Sequence, residues 1–82
     1  MDGTRRRLNP IKKKQMLERI RELEGEISQA ETTIAQCEAS LQTFSSAEET
    51  QRLTQDLEGS RNELQALVSE WEELSQVLEQ AR

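Results

Sequence analysis

Six cations fall within ten residues near the start of the chain, in the stretch RRRLNPIKKK: Arg5, Arg6, Arg7, Lys12, Lys13 and Lys14. Guanidinium and ammonium groups at this density are suited to neutralising the phosphates of a nucleic acid, an interaction driven by counterion release. The competing use is a solubilising charged linker. Two residues inside the stretch help to choose. Asn9 is a good helix N-cap, and Pro10 suits the first helical position, where no N–H is needed. Lys12, Lys13 and Lys14 therefore fall in the first two turns of a helix, where positive charge opposes the helix macrodipole. Helix stability gives no reason for them, and phosphate binding does.

Other chemistry finds little support. The chain has no histidine, so the commonest general base and metal ligand is absent. Its single cysteine, Cys37, cannot build a zinc site or an internal disulfide. The three glycines are scattered and make no phosphate-binding loop. Glu22, Glu24 and Glu26 lie close together. Acid–base catalysis would need a pocket that raises one carboxyl pKa, and a solvated helix face explains them more simply. No catalytic residue, cofactor or metal is expected.

The whole composition points to the element that must carry the cations. Only 33% of the 82 residues are hydrophobic and only Phe44 and Trp71 are aromatic, which is too little for a rounded core. The richness in Glu, Leu, Gln, Arg and Ala is that of a long helix or coiled coil, with disorder as the rival class. The net charge of −5 conceals an asymmetry. Residues 1–21 hold eight basic and two acidic side chains, a balance of +6, whereas residues 22–82 hold three and fourteen, a balance of −11. No long apolar run or signal peptide is present, so a cytoplasmic location is expected.

Apolar spacing separates coiled coil from disorder. Met16, Ile20, Leu23, Ile27, Ala30, Ile34, Cys37, Leu41 and Phe44 alternate in steps of four and three. Leu53, Leu57, Ser60, Leu64, Leu67, Trp71, Leu74, Leu78 and Ala81 do the same, with Ser60 alone polar. These are two a/d seams. Their phases disagree between Phe44 and Leu53, and Ser45 and Ser46 each precede a glutamate by three residues, Glu48 and Glu49, as in a capping box. The expected fold is all-α: a two-helix antiparallel coiled-coil hairpin. A basic lead-in covers 1–9 and the hairpin 10–82, with helices over 10–44 and 46–81 and a turn at 44–46. A monomeric hairpin is expected, with an opened-out dimer as the competing arrangement.

Pairing residues whose numbers sum to 94 joins a to d in every layer. Leu41 then meets Leu53, Cys37 meets Leu57, Ile34 meets Ser60, Ala30 meets Leu64, Ile27 meets Leu67, Leu23 meets Trp71, Ile20 meets Leu74 and Met16 meets Leu78. Glu31 and Arg61 are expected to form a flanking ion pair. Cys37 reads as a small buried hydrophobe, with redox sensing as its alternative. Trp71 packs on the seam or stacks on a nucleic-acid base. Ser60 fixes register or bonds back to a helix carbonyl. Leu17 and Val77 flank the seam near its open end, where apolar surface could serve a protein partner.

Several stretches together resemble the C-terminal coiled-coil domain of ABC-F ATPases, the cytosolic ABC proteins that work on ribosomes instead of pumping solutes. They are the basic lead-in with LNPIKK, the helix start RIRELEGEI, and RLTQDLEGSRNELQALVSEWEEL with its late Trp71. The resemblance covers nearly all of residues 5–81. It implies a terminal accessory domain whose partners are the ATPase domains of its parent and nucleic acid, ribosomal RNA in some members and DNA in others. The ATPase activity does not carry over, because the chain has neither a P-loop nor an ABC signature stretch. Only the six basic residues of RRRLNPIKKK match a binding role. The alternative function is a structural module that dimerises or docks on the parent ATPase.

Overall fold

A computed structural model of the chain describes residues 9–43 and 46–81. It contains two helices, α1 over Pro10–Leu41 and α2 over Ala47–Gln80, packed side by side as an antiparallel hairpin. Each is about 50 Å long at 1.5 Å per residue.

Both helices start where the sequence provides caps. Asn9 Oδ1 accepts the Ile11 N–H at 2.8 Å, and Pro10 occupies the first helical position. Ser46 Oγ accepts the Glu49 N–H at 3.1 Å, with Glu48 and Glu49 placed favourably in the positive first turn of α2. The Glu49 carboxylate lies 3.7 Å from Arg52, so the hydroxyl half of a capping box is what this helix start displays. Ser45, the other candidate cap, lies outside the described residues, as does Phe44. α1 ends at Leu41, with Gln42 as its C-cap, ahead of the expected 44. The seam periodicity there outlasts the helix because a turn needs several residues to reverse the chain.

The core is the seam. Leu23, Ala30 and Leu67 form its centre, and Ile27, Leu64, Trp71 and Leu74 pack around them. Leu23 is fully buried. Cys37 and Leu57 are buried nearer the turn, so Cys37 serves as a small apolar filler. Between these two regions lie Ile34 and Ser60, both half-buried. Gly25 and Gly59 sit mid-helix with open space around them, as outward-facing positions require.

Candidate functional site: the cationic end of α1

The heptad assigns each charged residue to a flank. With Ile20 and Leu23 at a and d, Arg19 takes g and Glu38 takes e; on α2, Glu70 takes g and Arg61 takes e. Antiparallel packing puts g against g along one flank and e against e along the other. Both flanks carry an interhelical ion pair. Arg19 Nε lies 2.9 Å from Glu70 Oε2, and Arg61 Nη2 lies 2.8 Å from Glu38 Oε2. The expected Glu31–Arg61 pair is therefore corrected. Both residues occupy e positions, but in this register the e position facing Arg61 is one heptad further along α1.

The three clustered carboxylates acquire individual roles. Glu22 and Glu26 lie 3.2 and 3.4 Å from Arg19 Nη1. Glu24 accepts the Trp71 Nε1–H at 3.2 Å. Trp71 thus packs its ring against the core cluster while its polar edge is satisfied on the e flank. These links are hidden in the sequence, because each depends on an angular position on the helix and on what lies opposite.

Arg19 consequently does not add free positive charge to the basic end. Its guanidinium contacts three carboxylates, and the Glu70 and Glu22 hydrogen bonds raise its pKa further above the ordinary value. The Glu70 carboxyl is held below its ordinary 4.5 by the Arg19 hydrogen bond.

Lys12, Lys13 and Lys14 are exposed in the first turns of α1, and the first turn contains no acidic residue. No ion pair joins them to another described residue. Arg5, Arg6 and Arg7 lie outside the described residues. Arg21, two residues beyond Arg19, is exposed and likewise joined to no described carboxylate. Among the described residues, Ile11, Leu17 and Val77 are the exposed large hydrophobic residues, at 69%, 44% and 42%. Leu17 occupies an e position and Val77 a g position, so they lie on opposite flanks and cannot form one patch.

Among the described residues, no cluster of three or more potential metal ligands occurs. A depression beside Ser46, Glu48, Glu49 and Arg52 is open to solvent and lacks the burial that would retune a carboxyl group. Neither helix is long and apolar enough to cross a membrane.

The described residues form a helical hairpin with exposed lysines at the start of α1. The chain belongs to the ABC transporter C-terminal domain family, whose model matches residues 11–76. It is thus a non-catalytic domain of an ABC protein, with the parent's ATPase domains as its natural partners. No curated protein and no solved structure gives a significant match.

Proposed function

We propose that this hairpin is the accessory coiled coil of an ABC-F-like ATPase and contacts nucleic acid, ribosomal RNA or DNA, through its basic N-terminal end. The carrying observation is the state of Lys12, Lys13 and Lys14. They are exposed, carry no ion pair to a described residue, and stand where the helix macrodipole disfavours positive charge. Phosphate neutralisation by these lysines together with Arg5, Arg6 and Arg7 accounts for that placement. The acidic balance of residues 22–82 orients the hairpin by repelling the same polyanion from its remaining length. This work takes place in the cytoplasm, at the surface of the parent ATPase.

The test is titration of labelled duplex DNA and structured RNA at two salt concentrations, for the parent chain and a variant with all six residues changed to Gln. Three to five phosphate contacts are expected, roughly, with a slope of log affinity against log salt on the order of −3 to −5 on duplex DNA. The six-fold variant should lose this binding and keep its helicity. Equal binding by both proteins, or none by either at low salt, sinks the nucleic-acid reading.

The exposed side chain of Ile11 supports a second reading, a structural module that docks on the parent ATPase or dimerises. Apolar docking is distinguished by its weak dependence on salt.

A further inference from the structure

The described cations at the start of α1 are not equivalent, and the structure divides them by flank. Going round α1 from the seam, e is followed by b and then f on one side, and g is followed by c on the other. On the g side stand Lys12 and Arg19, but Arg19 is occupied by Glu22, Glu26 and Glu70. That flank is electrostatically closed within about one heptad of the helix start. Lys13 occupies an a position and lies at the open mouth of the seam. The e side differs. Lys14 and Arg21 both occupy b positions, one heptad apart, or about 10.5 Å along the axis at 1.5 Å per residue. Both are exposed, and no ion pair joins either to another described residue. Leu17, at e, lies between them in sequence and is 44% exposed.

The geometry points to Lys14, Leu17 and Arg21 as one binding edge, with Lys14 and Arg21 each neutralising a phosphate of a nucleic acid and Leu17 lying against the sugar carbons between them. This rests on the nucleic-acid reading above and deepens it in two ways. It adds Arg21, a residue outside the RRRLNPIKKK stretch. It also excludes Arg19, which has the same charge and lies only two positions away. The hairpin therefore presents the start of its e side, ahead of Glu24, to its ligand and turns the g side, with Glu22, Glu26 and Glu70, away from it. Glu18, at f, borders the edge and marks its outer limit.

The experiment compares Arg21→Gln, Arg21→Lys, Arg19→Gln and Leu17→Ser with the parent chain. Each is titrated with labelled duplex DNA at several salt concentrations, and helicity is checked at the titration temperature. Arg21→Gln should weaken binding and make the log–log salt slope shallower by about 0.9, the value for one lost phosphate contact. Arg21→Lys should restore the slope. Leu17→Ser should weaken binding without altering the slope. Arg19→Gln should leave the slope unchanged while lowering the melting temperature. A parent-like slope for Arg21→Gln, or an equal loss for Arg19→Gln with helicity intact, overturns the assignment of the edge while leaving nucleic-acid binding in place. Failure of the parent chain to bind duplex DNA at low salt overturns the edge, and failure to bind structured RNA as well overturns the nucleic-acid reading.

Discussion

Arg19 and Glu70 are joined by two parallel hydrogen bonds, from Nε to Oε2 at 2.9 Å and from Nη2 to Oε1 at 3.0 Å. This two-pronged contact ties a g position of α1 to a g position of α2. It locks the antiparallel register on the flank where Glu22 and Glu26 also reach Arg19. Two-pronged guanidinium–carboxylate bonds are directional as well as strong, so they specify alignment where a seam of leucines is permissive.

The pair gives the hairpin an acid-sensitive component. Glu70 has its carboxyl pKa lowered in the folded chain, so its contribution is present above the ordinary value of 4.5. It is lost as pH falls through the lower folded value. The melting temperature of the parent chain should exceed that of Glu70→Gln at neutral pH, and the gap should close below pH 4.5. Thermal melts followed by circular dichroism across this range check it. A constant gap would mean that the bond contributes through packing alone.

Burial ranks the seam. Leu23 is fully buried and Trp71 is half-buried, with its indole edge engaged by Glu24. Leu23→Ala should destabilise the hairpin by about 3 kcal/mol and Trp71→Ala by about 2 kcal/mol, less than the cost of truncating a fully buried tryptophan. Urea denaturation of the two variants measures both. A larger loss for Trp71→Ala would reverse the order that burial predicts.

The start of α2 depends on one hydroxyl. Ser46→Ala removes the acceptor of the Glu49 N–H and should lower stability by about 1 kcal/mol, with Ser46→Asp close to the parent. Ser46→Gly should fall between them. Chemical denaturation of the three variants tests this.

Ile34 and Ser60 occupy facing layers in the register that pairs residue numbers summing to 94. A cysteine pair at these positions, in a chain carrying Cys37→Ser, should crosslink within one molecule. Mass measurement of the oxidised protein separates this from crosslinking between molecules, which would indicate an extended dimer in which the turn has opened.

The cationic site was legible in part. The exposed Lys12, Lys13 and Lys14 follow from a run of cations behind an Asn-Pro helix start, a purely local signal. The difference between Arg19 and Arg21 was not legible, because both belong to the same basic segment. The distinction depends on which carboxylates the second helix brings to each flank. The roles of Glu22, Glu24 and Glu26 were hidden for the same reason, since one alternation in sequence becomes two opposite sides of a helix in space.

By itself, the sequence determined the two helices, the cap at Asn9, a serine cap at 45 or 46, the apolar stripe of each helix and the reversal between them. These depend on periodicity and on hydrogen bonds between residues two or three apart, so they are written locally. Only the tertiary structure decided that Arg61 pairs with Glu38 instead of Glu31 and that Arg19 is neutralised. It also separated Leu17 from Val77 across the hairpin. Those outcomes depend on axial register and on which flank faces which. A one-heptad shift leaves every apolar residue on the seam while giving each flanking charge a different partner.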